Sequence, residues 1–278
     1  MVAGEVSGDV AGGTAVVVGG ASGIGAGIAA ELGRRDARVI LADIAADRLE
    51  KVREELVAAG STVETAVVDA TDAEAVERLA VDVFARHGSV KVLVNAAGVE
   101  LTGYVWDTPV EQWRRLMSIN LDGVFHGIRS FVPRMGADPQ RSYVANIASI
   151  GAMATSRMQA PYVASKHAVQ ALTEVLHVEA ADAFPQIAVS VVNPAPVATR
   201  ILTDAVANGP GAKQRRAEMA KMIAAGMHPT EAGRRIVEQI LAGRFWVSSH
   251  PEQFAAAAKR RAEQLATLSL PVVPPPGG

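Results

Sequence analysis

Seven short apolar, β-branched runs punctuate the chain, at residues 14–18, 38–42, 63–68, 91–94, 143–148, 187–192 and 244–247. Several of them, such as Ala-Val-Val-Val at 15–18 and Val-Leu-Val at 92–94, are apolar at consecutive positions. A strand with one wet face alternates; a strand covered on both faces has no polar side, so these runs read as parallel strands between layers. Between them lie helix-length segments at 24–34, 46–59, 73–87, 110–135 and 161–183. Strands and helices in this alternation predict an α/β fold, a doubly wound parallel sheet of about seven strands with helices on both faces.

The pattern covers residues 13–269, the expected extent of one large domain. Residues 1–12 read as a flexible leader and 270–278 (LPVVPPPGG) as a disordered proline-rich tail. The rhythm breaks between about 200 and 229, where Asn208-Gly209-Pro210-Gly211 precedes a charged, Met-bearing helical piece; the stretch reads either as a substrate loop and lid or as an ordinary surface connection.

Composition narrows the classes. The chain is 49% hydrophobic and 20% charged with a net charge of -2, and its basic residues form no run. Neither nucleic acid nor an anionic membrane surface has an electrostatic footprint to bind. Residues 10–30 lack charge, but seven glycines interrupt them, which argues against a membrane span. Glu5 and Asp9 without a basic cluster make a poor signal sequence, so a cytoplasmic protein is expected. With no cysteine, disulfides, thiolate metal sites and cysteine nucleophiles are excluded. The six histidines show no ligand spacing, and no metal is expected.

The first strand runs into Gly19-Gly20-Ala21-Ser22-Gly23-Ile24-Gly25 and straight on into a helix. Glycines there let backbone N–H groups approach a pyrophosphate at a positive helix end; the bland alternative is a tight turn. Asp43, at the end of the second strand, suits the adenosine ribose hydroxyls and repels a 2′-phosphate. Ile44 follows it and Ser22 precedes Gly23, where a basic residue would favour the phosphorylated cofactor. NAD is therefore the expected cofactor.

Tyr162 and Lys166 stand four apart on a predicted helix and share a face, and Ser149 follows the strand at 143–148. A phenol titrates near pH 10, too high for an efficient base near neutrality. A neighbouring ammonium and an oxidised nicotinamide would lower that value. Each residue alone has a dull reading; the three downstream of a dinucleotide turn point to proton and hydride chemistry.

With these residues the chain resembles the short-chain dehydrogenase/reductase family over nearly its whole length, which implies a Rossmann-like fold. The resemblance sets Gly19, Gly23 and Gly25 in the cofactor turn and matches Asn95-Ala96-Ala97-Gly98 to the family's Asn-Ala-Gly element. It makes Asp69, with Ala70, the adenine contact and Asn120 the helical member of a tetrad with Ser149, Tyr162 and Lys166. Asn193-Pro194-Ala195-Pro196-Val197-Ala198-Thr199 resembles the loop that holds the nicotinamide carboxamide, with Pro194, Val197 and Thr199 as contacts. Two positions depart from the family pattern: Val18 replaces a threonine before the first glycine, and Ala195 replaces a glycine. Both bear on the cofactor loops and neither on an acid–base group.

The implied reaction moves a hydride between NAD(H) and a secondary alcohol or ketone. Tyr162 takes the alcohol proton, Ser149 holds the oxygen, Lys166 binds the nicotinamide ribose, and Asn120 supports a water leading to solvent. Val99, Met153, Met158 and Leu202, with Ser149 and Tyr162, are the expected substrate contacts, an apolar set that suggests a hydrophobic small molecule. Arg157 keeps open a carboxylate clamp. The family packs subunits through the helices around Asn120 and Tyr162, so a homotetramer or homodimer is expected, with Val124, Phe125, Val169, Leu172 and Leu176 serving that interface or the core. Two other readings stand beside this one: an NADPH-dependent 3-oxoacyl reductase, and a non-catalytic cofactor-binding scaffold or regulatory protein.

Overall fold

The computed structural model describes residues 10–271. Among them β1 (Thr14–Val18), β2 (Arg38–Asp43), β3 (Val63–Val67), β4 (Val92–Asn95), β6 (Ser142–Ile147), β7 (Ile187–Val192) and β9 (Trp246–Val247) form one parallel sheet in the order β3-β2-β1-β4-β6-β7-β9. Its helices are α1 (Gly23–Arg34), α2 (Ala46–Ala58), α3 (Ala73–His87), α4 (Val110–Met117), α5 (Gly123–Gly136), α6 (Ala160–Ala183), α8 (Pro229–Leu241) and α9 (Pro251–Ala266). This is the Rossmann-like architecture that the apolar runs predict.

Alternation along each strand divides the core between the two sheet faces. Val17, Leu41, Val94 and Ala145 pack with Ile28 and Leu32 of α1 and with Ile236 and Ile240 of α8. Val16, Ile40, Leu93 and Val144 pack with Leu79 of α3, Phe131 of α5 and Leu176 of α6. The chain winds outward from β1 to β3, then returns to lay β4 on the other side of β1. Loops leaving β1 and β4 therefore diverge, and a crevice opens at the strands' C-terminal ends.

Helices α1 and α8 cross at backbone distance. A Cβ on Gly233 would lie 2.1 Å from the Gly27 carbonyl oxygen, and one on Gly27 would lie 2.1 Å from that of Pro229. Gly233→Ala is thus expected to separate the helices, at a cost of about 1–3 kcal/mol and several degrees of Tm. Thermal denaturation of the purified variant reads this; an unchanged Tm would show that the crossing yields freely.

The structure corrects the expected elements in four places. The helix expected over 110–135 is interrupted at Ser118–Asp122 by a π-helical turn, which a 3.6-residue periodicity does not resolve because apolar spacing shifts by a single residue. Residues 200–229 are more ordered than a loop: β8 (Val206–Asn208) pairs in parallel with β5 (Leu101–Gly103), and α7 (Ala212–Ala224) follows. Strands of three residues carry no periodic signal. The last sheet strand spans only Trp246–Val247. Of the expected leader, residues 1–9 lie outside the described residues, but Val10 is packed in the core and the Gly12 N–H donates to the Asp36 carbonyl at 2.9 Å. Of the expected tail, residues 272–278 lie outside the described residues, and Leu270 is exposed.

Candidate active site

A cleft of about 650 Å³ lies at the crevice between the β1 and β4 loops, a volume within the range of cofactor sites. The turn after β1 forms one wall. Gly19 and Gly23 take left-handed φ of 85° and 54°, and a Cβ on Gly25 would sit 2.1 Å from the Gly19 carbonyl oxygen. Ser22 stands at the N-cap of α1 but makes no side-chain cap. The first-turn N–H groups, including those of Ile24 and Gly25, thus face the cleft without an intrahelical acceptor. A bare-backbone cradle with open N–H donors at a positive helix end fits a dinucleotide pyrophosphate.

Asp43 lines the cleft too, accepting from the Ala21 N–H at 3.2 Å and the Ala45 N–H at 3.0 Å. Its carboxylate therefore ties the glycine turn to the end of β2 and starts α2. The turn makes no use of a side chain at Val18: the Gly19 N–H donates to the Ala42 carbonyl at 2.7 Å, and the Val18 carbonyl accepts from Ala96 at 2.7 Å. Ala195 is not among the residues of positive φ, so its methyl group is accommodated without strain.

Asp69, Ala70, Ala96, Gly98, Val99, Pro194 and Thr199 line the same cleft, as do Tyr162 and Lys166. Asp69 turns its carboxylate on Thr71, accepting from both its N–H and its hydroxyl. Val197 is buried in the core and bridges Met227. Asn95 is also buried, where it donates to Asn146 at 2.8 Å, and Gly127 of α5 packs directly against it. Neither of these two faces the cleft; both brace the elements that bound it.

Tyr162 and Lys166 line the cleft, while Ser149 and Asn120 are buried close behind its wall. Ser149 follows β6, and its Oγ accepts from the Gly151 N–H at 3.0 Å and pairs with the Tyr162 hydroxyl. Lys166, one turn beyond Tyr162 on α6, is buried and donates to the Ile147 carbonyl at 2.8 Å. Its Nζ stands 5.7 Å from the Tyr162 ring centre. Asn120, fully buried in the π turn, accepts from the Val99 N–H at 2.8 Å and donates to the Val99 carbonyl at 3.0 Å and to Ser165 at 3.1 Å. The widened turn lets one amide pin the β4 loop to α6.

Burial pushes the Tyr162 hydroxyl above the ordinary phenol range; Glu100 pushes the same way and the Ser149 hydrogen bond opposes both. The sequence leads one to expect a lowered value through Lys166 together with an oxidised nicotinamide. Among the protein's own groups the direction is the opposite, because burial penalises the phenolate most. Burial likewise brings Lys166 down to about 8, against the pull of Glu100.

Glu100 is the residue that the sequence reading missed. It is buried directly after the cleft residue Val99, where Oε1 accepts from the Leu101 N–H at 3.0 Å and Oε2 from Gln159 at 3.0 Å. Its burial raises it to about 8, although both hydrogen bonds and Lys166 oppose the rise. A signal existed: Glu100 is the one charge in an uncharged stretch from Val92 to Gly103.

The raised carboxyl has a sign in stability. Its folded value of about 8 exceeds an unfolded value near 4.5, so the folded state holds the extra proton between them. That contribution is complete below pH ~4.5 and is lost as pH rises through about 8. Lys166, depressed to about 8, changes stability only above that window. Glu100→Gln keeps an acceptor for Gln159 and is expected to flatten the fall in Tm between pH 5 and 8 relative to wild type. Parallel pH–Tm curves for the two proteins would refute it.

Of the expected substrate contacts, Val99 lines the cleft, Met153 is partly buried in the turn after Ser149, and Met158 lines a separate cavity. Leu202 is buried with Ala205 and Met219. Of the positions assigned to an interface or the core, Val124, Val169 and Leu176 are core, Leu172 is partly buried against it and Phe125 is exposed. Among the described residues there is no cluster of metal-ligating side chains, and no helix is long and apolar enough to cross a membrane.

The parallel sheet and the glycine turn after β1 frame a cleft of the kind found in nicotinamide-dependent oxidoreductases. The sequence profile of the short chain dehydrogenases matches residues 13–209, and the chain belongs to that family. It is 38% identical over 196 residues to 1-deoxy-11-beta-hydroxypentalenate dehydrogenase of Streptomyces avermitilis, covering 70% of this chain and 72% of that one. It is 32% identical over 213 residues to the probable oxidoreductase EphD of Mycobacterium tuberculosis; the match covers 75% of this chain but only 36% of that protein. A short-chain dehydrogenase/reductase of Burkholderia phymatum, solved in complex with NAD, superposes with a TM-score of 0.91 at 27% identity, over 96% of this chain and 99% of that one.

Proposed function

We propose that the protein is an NAD-dependent dehydrogenase that oxidises a hydrophobic secondary alcohol, or reduces the matching ketone. The observation that carries this is Tyr162 lining a dinucleotide-sized cleft one helical turn from Lys166, whose Nζ stands 5.7 Å from the Tyr162 ring centre. The bound cofactor supplies hydride exchange at its nicotinamide and, when oxidised, a positive charge.

The chain's own residues do the rest. Ser149 holds the substrate oxygen and stabilises the charge that develops on it. Tyr162 exchanges the proton with that oxygen. Lys166, buried under the cleft, binds the nicotinamide ribose, and Asn120 holds the Val99 loop against α6 along the proton's route to solvent. The N–H groups of the Gly19–Gly25 turn hold the pyrophosphate, Asp69 and Ala70 lie at the adenine, and Pro194 and Thr199 at the nicotinamide. Residues 200–229, built as β8 and α7, cover the substrate side. The chain works as a homo-oligomer within 13–269 as one domain, in the cytoplasm.

NAD is favoured over NADP because Asp43 places a carboxylate at the ribose end of the cleft. Arg48 lines the same cleft, but Asp204 stands 3.6 Å from it. The test is a panel of cyclic secondary alcohols with NAD or NADP at equal concentration, followed by absorbance of the reduced cofactor. Turnover with NAD exceeding that with NADP by tenfold or more is expected. A preference for NADP would sink the Asp43 argument, and NADH binding without turnover across the panel would sink the enzymatic one.

A further inference from the structure

A second cavity, of about 390 Å³, is lined by Tyr104, Arg157, Met158 and Arg215. It lies next to the catalytic cleft along two chain segments. Val99 and Tyr162 line the cleft, while Tyr104 and Met158, a few residues along the same segments, line the cavity. Between them β5 bridges to Gln159 through Gly103. Tyr162 is four positions beyond Met158, so their Cα atoms are at most ~14 Å apart.

Of the two cations of this cavity, one has no partner among the described residues and the other only a loose one. Arg157 is exposed and makes no hydrogen bond or ion pair among the described residues. The Nε of Arg215 is buried without a partner, and the nearest carboxylate oxygen, on Glu218, is 3.8 Å from another of its nitrogens. What a ligand in the cavity can meet are the terminal nitrogens of the two guanidinium groups, each a donor with no acceptor function of its own. The two arginines come from separate elements, Arg157 from the loop before α6 and Arg215 from the first turns of α7, and no acidic residue stands in α7's first turn. The wall between them is well defined. Met158 is held at φ 61° with its carbonyl accepting from Gly103 at 2.8 Å, and Tyr104 stacks on Trp106 at 4.8 Å.

We propose that this cavity is an anion subsite of the catalytic cleft, where Arg157 and Arg215 grip a carboxylate at the end of the substrate remote from its carbinol. The inference rests on the dehydrogenase reading and sharpens its substrate to a hydroxy acid, with an apolar body passing Val99 and Met158. A guanidinium fork matches a carboxylate in two parallel hydrogen bonds, and anchoring the far end orients the carbinol at Tyr162.

The test uses the full-length protein and a series of 4-hydroxycyclohexyl alkanoic acids, each beside its methyl ester, the acid being set progressively further from the ring. With saturating NAD, the best acid is expected to exceed its ester about 10–100-fold in kcat/KM, the value of hydrogen bonds to a charged group. In Arg157→Gln/Arg215→Gln that acid-to-ester ratio falls to near one, while Lys51→Gln, an exposed cation on α2 that lines neither cavity, leaves it unchanged. Equilibrium binding of the same acids and esters to the NADH-bound protein, by calorimetry, separates the two readings. Acid-selective binding that the double variant loses, without turnover of any alcohol, would uphold the subsite and overturn the dehydrogenase. Acids that bind no tighter than their esters, or a preference that survives in the double variant, would overturn the subsite whatever the turnover.

Discussion

Tyr162→Phe is expected to lower kcat/KM on a verified alcohol by about 10³-fold, with NADH affinity within about twofold of wild type. The phenyl ring keeps the packing of α6 against the cleft, so the change removes one hydroxyl and little else. Ser149 retains the Gly151 N–H on its Oγ, and Lys166 retains the Ile147 carbonyl. What is lost is the group that exchanges a proton with the substrate oxygen. Because burial and Glu100 raise that hydroxyl, oxidation by the wild type should quicken as pH rises, and the residual rate of the variant should lose that dependence. Steady-state rates across pH, together with a fluorescence titration of NADH, measure both halves. A variant within tenfold of wild type would remove Tyr162 from the chemistry.

Gly25→Ala is the second large effect, and it acts on the cofactor alone. Its Cβ would meet the Gly19 carbonyl oxygen at 2.1 Å and the carbonyl carbon at 3.0 Å, both backbone atoms of the turn. Neither can swing aside as a side chain would, so the turn must open and its N–H groups lose their common aim. A loss of ~100-fold or more in NADH affinity is expected, the order of two or more charge-assisted hydrogen bonds. The circular-dichroism spectrum should persist, because β1 and α1 remain packed through Val17, Ile28 and Leu32. NADH raises the Tm of the wild type by mass action; an equal rise in the variant would show that the turn does not hold the pyrophosphate.

The sheet was legible because a strand buried on both faces writes an unbroken apolar run. β1, β4 and β7 show this clearly, the edge strand β3 (VETAV) only weakly, and α1, α2, α3 and α6 follow the intervening segments. The order of the strands was not legible: strand–helix alternation confines parallel strands to few right-handed arrangements, and packing chose among them. Gly19, Gly23 and Gly25 announced their turn because no other residue tolerates both the φ values and the close approach. Elements shorter than a period left no trace: β5, β8 and the single widened turn at Asn120 exist through pairing and packing with distant residues.

The site divides along the same line. Sequence by itself determined the glycine turn, Asp43 at the end of β2, and the four-residue spacing of Tyr162 and Lys166, because each depends on residue type and local backbone geometry. Tertiary structure alone decided that Asn95 and Val197 brace the cleft from within the core, and that Leu202 is packed away from it. It decided the direction in which the Tyr162 hydroxyl shifts, since desolvation is a property of surroundings assembled from the whole chain. It alone set Glu100 beside Gln159, 59 positions away, and Arg157 beside Arg215 at one cavity. Contacts across such separations are set by how layers pack, and no local pattern encodes them.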